Sequence, residues 1–423
     1  MTPPERPRLI SESVRAFRSR QYLLFWSAAL VSNVGIWLSA LTVPYVLFQL
    51  TGSALWTSFT TVAAFLPSFF LGPTAGWLAD RFDRRKVLIG TQSGMAFGAV
   101  GLWAVWMLDL HEVGPLLFFV LVQGIFQGLN MPAWQSFVHD LVPREDLQSA
   151  VTLNSMQFNA ARSIGPAIAG AVITLLGPGG SFGLNALSFV AVLTALLVIR
   201  SARPSVHGRP KLSFAGALRY LPTQPGIVVA VIVAVLVSAL VNPLMQFTVV
   251  FAASIFNVGP WPLGLMNAAL GLGSILVVPL AAGSAVLSRA ATVRLGLVLL
   301  AIGLVGFGLA PNWPVSAIAL IVVGAGFLAA ISATNTALQL IVAEPYRGRV
   351  MAIRIMAYTL AYPVGALVSG ALSDAFGPRP IVIGAGVIML IAWALVAFNR
   401  GRFSLGRLDD PYDDSLDGTT SAP

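Results

Sequence analysis

Long apolar stretches alternate along the chain with short breaks rich in charge, glycine or proline. The stretches fall near 22–49, 54–79, 87–108, 114–138, 149–175, 181–200, 226–254, 260–284, 292–310, 313–342, 350–374 and 379–398. A helix needs about 20 mostly apolar residues to cross the hydrocarbon core of a bilayer. The pattern therefore predicts an all-α integral membrane protein with twelve transmembrane helices. Gly and Pro inside the fifth, eighth and tenth stretches would also allow a total of eleven, but the placement of charge argues for an even number.

Composition sharpens this. Of 423 residues, 57% are hydrophobic and only 10% charged, against about 25% charged in an ordinary soluble domain. A soluble fold of this size cannot cover its surface with so few charges, and a disordered chain would not carry so many apolar residues. The absence of cysteine excludes disulfides, iron–sulfur clusters and thiol nucleophiles. Three scattered histidines, His111, His139 and His207, offer no metal cage, so no metal and no cofactor is expected. No nucleophile–base pair stands out, and no G-x-x-x-x-G-K-[ST] loop is present. The chain is thus expected to be neither an enzyme nor, by itself, an ATP-driven pump.

The net charge of +9 could signal a nucleic-acid partner, but its placement says otherwise. With both termini cytoplasmic, all but three of the 25 Lys and Arg fall on the cytoplasmic side, in the N-terminal arm, the even-numbered loops and the C-terminal segment. The exceptions are Arg162 and Arg354 inside spans, and Arg379. Such a bias is the positive-inside signal of a multi-pass plasma (inner) membrane protein. An arginine-rich arm running directly into a long first span is not a cleaved signal peptide. The expected organisation is a basic cytoplasmic arm over 1–20, a six-helix bundle over 21–200, a cytoplasmic central loop over 201–225, a second bundle over 226–400 and a disordered acidic tail over 401–423.

An offset of 200 residues brings Ala161, Gly165, Gly170, Ala171, Gly177 and Pro178 onto Ala361, Gly365, Gly370, Ala371, Gly377 and Pro378. The two bundles are therefore pseudo-symmetric repeats, an arrangement in which transporters bind substrate between halves near the bilayer midplane.

Gly76, Asp80, Arg81, Arg84, Arg85 and Lys86, in the loop after span two, resemble the G-x-L-x-D-R-x-G-R-R/K signature of the major facilitator superfamily, with Asp83 where glycine is usual. The resemblance implies that Asp80 bonds neighbouring helix ends while the arginines pair across the cytoplasmic gap and lock one conformation. Topology alone needs the cations but not Asp80. A similar run, Gly370 to Arg379 with Asp374, follows an odd-numbered span; it is expected on the outer side and is not read as a second cytoplasmic gate. Ala161, Gly165, Pro166 and Gly170 resemble the superfamily's antiporter motif, with alanine at two glycine positions. Small residues at this spacing also serve close helix packing.

Polar residues inside spans are costly and mark candidate binding surfaces. Gln123, Gln127, Asn130 and Trp134 share one face of span four, lining either a cavity or a helix contact. Asn33 and Trp37 in span one, Asn242 and Gln246 in span seven, and Asn335 in span ten are similar candidates. Together they describe a polar, uncharged cleft suited to an amphipathic small molecule. Arg162 faces either an anionic substrate or backbone carbonyls freed by Pro166. No carboxylate lies in the middle of a span, which leaves Asp80 and Asp140 as proton-coupling candidates. The superfamily's span-four arginine (R-x-x-Q-G) is missing: Gly124 stands in its place before Gln127 and Gly128.

From Phe17 to about Phe398 the chain resembles the enterobactin-exporter-like and macrolide-efflux-like branch of the superfamily, through Phe17–Arg20, Thr51–Ala54, Asp80–Arg85, Gly165–Pro166 and Arg347–Met351. That resemblance implies a secondary transporter working by alternating access, most simply a proton-coupled exporter of a drug or siderophore-like molecule. The alternatives are an importer on the same fold and a non-transporting membrane receptor or scaffold.

Overall fold

The computed structural model describes residues 14–199, 219–221, 224–282, 287–398 and 404–409. Arg6 and Arg8 of the basic arm, most of the central loop and the tail beyond residue 409 lie outside the described residues. Among the described residues the chain is helical throughout, with no strand.

The helices of the first half are α1 (Arg20–Thr51), α2 (Ala54–Arg81), α3 (Arg84–Met107) and α4 (Val113–Asp140), followed by a continuous rod, Leu147–Val198. That rod is broken at Gly177, whose φ of 68° and ψ of 179° are not helical. It is therefore two spans, α5 (147–176) and α6 (178–198). The second half holds α7 (Pro225–Ile255), α8 (Pro260–Ala282), α9 (Arg289–Leu309), α10 (Trp313–Ile341), α11 (Glu344–Phe376) and α12 (Pro378–Phe398). These are the twelve spans the hydropathy predicts. The shortest, α6, α9 and α12, have 21 residues, about 31 Å at 1.5 Å per residue, enough to cross the hydrocarbon core.

The breaks have local causes. Gly377, with φ 85°, separates α11 from α12 as Gly177 separates α5 from α6. Each is followed by proline, so the repeat seen in sequence is also a repeat of backbone conformation. A positive φ suits glycine, which has no Cβ to clash. Within α7, Pro243 lacks an N–H and interrupts the helix between Leu240 and Leu244, and the span closes in a π-helical turn over Phe251–Ile255. Asp83 caps α3: its carboxylate accepts from the backbone N–H of Arg85 at 2.8 Å and of Lys86 at 3.3 Å. That gives the departure from the glycine signature a structural job, since a carboxylate satisfies the free donors of a helix start.

The chain forms two compact units. Residues 1–46 and 63–208 make the first; 47–62 and 209–423 make the second. The first unit is built on Tyr22, Phe25, Leu88, Met95, Phe137 and Phe189, the second on Val233, Val237, Phe251, Leu297, Leu300, Leu320 and Val323. The division differs from a cut at the central loop because the first turns of α2 pack into the second unit. Apolar side chains also point outward: Leu175 is 79% exposed and Phe398 77%. Greasy exteriors around cores that hold buried Ser, Thr and Asn are what a lipid solvent selects.

The segment expected to be a disordered tail is not so over its first part. Leu405 and Leu408 are buried in a 3-10 turn, Leu405–Leu408, packed into the second core. Asp409 caps α9, accepting from the backbone N–H of Arg289 at 2.8 Å and of Ala290 at 3.3 Å, and pairs with the Arg289 side chain at 3.3 Å. Two leucines three residues apart were enough to dock it; the acidic composition around them concealed that.

Candidate functional site

In the first unit the polar residues of α4 mostly serve helix contacts. Asn130 is buried and accepts from Thr91 Oγ1 at 2.9 Å and Gln92 Nε2 at 3.2 Å, both on α3. Gln123 packs its side chain onto Gly98 of α3, and the Trp134 ring lies tilted against Phe25 of α1, centroids 4.6 Å apart. Gln127 is half-buried. A Cβ at Gly124 would strike the backbone carbonyl of Ala63 in α2, and one at Gly128 would lie 2.8 Å from Ser68 Cα. The position of the superfamily's span-four arginine is thus a backbone-to-backbone crossing with no room for a side chain.

The antiporter-like residues Ala161, Gly165, Pro166 and Gly170 are buried in α5. Gly165 lies against Trp37 of α1, where a Cβ would be 2.6 Å from that of Trp37. The same α1–α5 seam carries Tyr22 Oη donating to the Ala150 carbonyl at 2.8 Å, Trp26 Nε1 to Leu153 at 3.0 Å, and Gln157 Nε2 to Trp26 at 3.1 Å. Asn33 is half-buried, and Arg162 is half-buried and already engaged in an interaction.

The loop after α2 is tied down inside its own unit. Arg84 forms a two-oxygen pair with Asp140 at the end of α4, at 2.7 and 2.9 Å. Arg85 donates to the carbonyls of Leu196 and Leu197 at the end of α6, at 2.5 and 2.7 Å. Arg81 sits over the Trp77 ring at 5.6 Å. Gly76 faces open space. Asp80 is exposed and has no hydrogen-bond or ion-pair partner among the described residues. Arg84 and Arg85 thus spend their donors on α4 and α6.

The look-alike run is the engaged one. Asp374, near the end of α11, accepts from Ser53 Oγ at 2.5 Å, from the Ala54 N–H at 2.7 Å and from the Leu55 N–H at 3.2 Å. It caps α2 at the end opposite the Asp80 loop. Gly370, one turn earlier, receives Ser58 and the backbone of Ala54 and Leu55.

The densest polar grouping is the α7–α11 seam of the second unit. Ser238, Asn242 and Gln246 recur every four residues on α7 and run beside Arg354, Tyr358 and Tyr362, which recur every four on α11. Ser238 Oγ donates to the Tyr358 carbonyl at 2.6 Å; Asn242 Nδ2 donates to Ser238 Oγ at 3.1 Å and to Tyr358 Oη at 3.0 Å. Gln246 Nε2 donates to Thr61 Oγ1 at 2.6 Å and reaches Tyr362 Oη at 3.4 Å. Arg354 Nη1 donates to Asn335 Oδ1 of α10 at 3.3 Å. Gly365 brings α11 directly onto the Ala239 backbone, the counterpart of Gly165 on Trp37. Sequence reasoning found Asn242, Gln246 and Asn335 but missed Tyr358, Tyr362 and the weight of Arg354. The four-residue spacing on α11 was the signal available. No group of His, Asp and Glu able to hold a metal occurs among the described residues.

Comparison with known proteins agrees with this fold. The chain is 25% identical to the MFS-type transporter YfiS of Bacillus subtilis, over 89% of this chain and 92% of that one. It is 25% identical to the multidrug efflux pump Tap of Mycolicibacterium fortuitum, over 89% and 95%, and 27% identical to the enterobactin exporter EntS of Citrobacter koseri, over 92% and 93%. Among solved structures it is similar to an inward-facing, occupied bacterial homologue of the human lysosomal transporter Spinster, with a TM-score of 0.73, 15% identity and coverage of 92% and 97%. A D-xylose–proton symporter matches with a TM-score of 0.69, 14% identity and coverage of 88% and 97%. The profile of the family described as transmembrane secretion effector matches residues 11–409, so the chain belongs to that family of major facilitator superfamily transporters and is a multi-pass membrane transporter rather than an enzyme.

Proposed function

We propose that this transporter exports an amphipathic small molecule, such as a drug or a siderophore, from the cytoplasm by alternating access. The observation that carries the reading is the near-full-length similarity to chains named as an efflux pump and an exporter. The chemistry of the spans is in keeping with it: Asn242, Gln246, Asn335, Tyr358 and Tyr362 form a hydrogen-bonded polar grouping without a carboxylate, among apolar neighbours. Such a surface suits a ligand with a large apolar body and a few polar groups. The membrane is the plasma (inner) membrane, with both termini in the cytoplasm, and fusing a periplasm-dependent reporter to either end should give no signal.

Protons drive the cycle in this reading, and Asp140 and Asp80 carry them. Protonating Asp140 removes the charge that holds Arg84, freeing the loop after α2 from the end of α4. Asp80, exposed on that loop, is the partner a rearranged bundle would engage, so the loop gates the cytoplasmic side. The test is uptake into inverted vesicles energised by an imposed proton gradient, with fluorescent drugs as probes. Accumulation should follow the gradient in wild type and fall at least tenfold in Asp140→Asn and Asp80→Asn. Uphill accumulation in both variants with unchanged proton dependence would reject the coupling assignment. Accumulation in right-side-out vesicles only would make the protein an importer.

A further inference from the structure

The α7–α11 seam holds a cation that the proposed export of a generic amphipath does not use. Arg354 is only 8% exposed, ten residues into α11. Its Nη1 has one neutral partner, Asn335 Oδ1 at 3.3 Å, and its Nε has no hydrogen-bond partner among the described residues. Among the described residues no Asp or Glu pairs with it; Glu344, the nearest acid on the same helix, is one end of a stretch of roughly 15 Å. A guanidinium presents five donors in a planar fork that fits two oxygens of a carboxylate or phosphate. Burying it beside one amide and the neutral Tyr358, with no acid among the described residues, is costly, and inside a membrane such a residue is retained where it meets something.

A purely structural arginine would show its donors spent on carbonyls, as Arg379 does on Gly308 and Ala310 at 3.0 and 2.9 Å. Arg354 does not, and the groups on its face of the seam, Tyr358 one turn on and Asn242 across from that tyrosine, are neutral and already bonded to each other. Among the described residues, what the site lacks is negative charge. We infer that Arg354 receives the anionic oxygen group, carboxylate or phosphate, of the amphipathic ligand, so that the transported class is anionic amphipaths. Asn335 orients the fork, and the Asn242–Tyr358 pair extends the polar surface beside it. This rests on the transport reading, but its test needs binding alone.

The full-length protein, purified in a neutral detergent, is titrated with 1-naphthoate, with 1-naphthyl phosphate and with neutral 1-naphthamide while thermal unfolding is followed. A parallel arm replaces the small anions with phosphatidylglycerol, against phosphatidylcholine, to tell a free ligand from a lipid headgroup. At least one anion should raise the unfolding midpoint where its neutral counterpart does not. Arg354→Gln should raise the half-saturating concentration roughly tenfold or more, the fold-change of a lost charge-assisted hydrogen bond, and Arg354→Lys should keep part of the response. Asn335→Asp supplies an internal carboxylate; it should raise the ligand-free midpoint and abolish the anion response. The inference is overturned if no anion outperforms its neutral counterpart in wild type. It is equally overturned if Arg354→Gln, or Asn335→Asp in a stable protein, keeps the full difference. Anion binding through Arg354 without any flux in vesicles would leave this site standing and remove the transport reading instead.

Discussion

The α1–α5 and α7–α11 seams occupy equivalent places in the two repeats and are closed by equivalent glycines, Gly165 and Gly365, yet they are wired differently. In the first, Tyr22, Trp26 and Gln157 send their donors to backbone carbonyls, so the side chains act as clamps and leave little chemistry over. In the second, side chains bond side chains, Asn242 to Tyr358 and Gln246 to Tyr362, and a buried guanidinium has one amide and no acid as hydrogen-bond partner among the described residues. A repeat preserves backbone geometry because the bilayer imposes it; it does not preserve the polar groups, which are free to specialise. The first seam holds its unit together, and the second has polarity to offer a ligand.

The sharpest way to break this comparison is at the glycines. Gly365→Val drives a side chain into the Ala239 backbone, which cannot step aside, and should cost about 3 kcal/mol, the upper end of overpacking; monodisperse protein should be lost on size-exclusion chromatography. Gly165→Ala meets a side chain, Trp37, and should cost about 1 kcal/mol. Equal losses would mean the two crossings are packed alike. The polar groups give the next contrast. Tyr358→Phe removes the hydroxyl that bonds the half-buried Asn242 amide, leaving that amide only Ser238, and should cost about 1.5 kcal/mol and lower flux, whereas Trp26→Phe should cost about 1 kcal/mol with flux unchanged once expression is matched. The smallest effect is expected at the far end of α11: Asp374→Asn keeps an acceptor on α2 but loses the charge, for roughly 0.5 kcal/mol, read as a small fall in thermal midpoint that high salt reduces.

Twelve spans were legible because hydrocarbon thickness writes itself into sequence as runs of about 20 apolar residues. Gly177–Pro178 and Gly377–Pro378 were legible as repeat marks, since a left-handed break before proline leaves few residue choices. The partners were not. Nothing in the string says that Asn130 turns towards Thr91 while Asn242 turns towards Tyr358, because both stand on a polar face at the same spacing. Arg354 was noted only as a charge inside a span, and Arg162 drew the ligand argument, although it is the former that is buried with an idle donor. Asp374 was set apart from the cytoplasmic motif in sequence, but only the fold reveals that it caps a helix more than 300 residues distant.

That cap has a mechanical side. α2 is shared: its first turns, to Val62, belong with the second unit and the rest with the first. Pro67 and Pro73 lie just past the point of division, and neither can donate to the carbonyls of Ala63 and Phe69, one turn before each. A rod pulled from two ends yields where its internal bonding is thinnest, and here that place is set beforehand. Flexing α2 between Ala63 and Pro73 breaks fewer hydrogen bonds than flexing it anywhere else along its length, so the helix that bears the Asp80 loop at one end can stay fastened at the other.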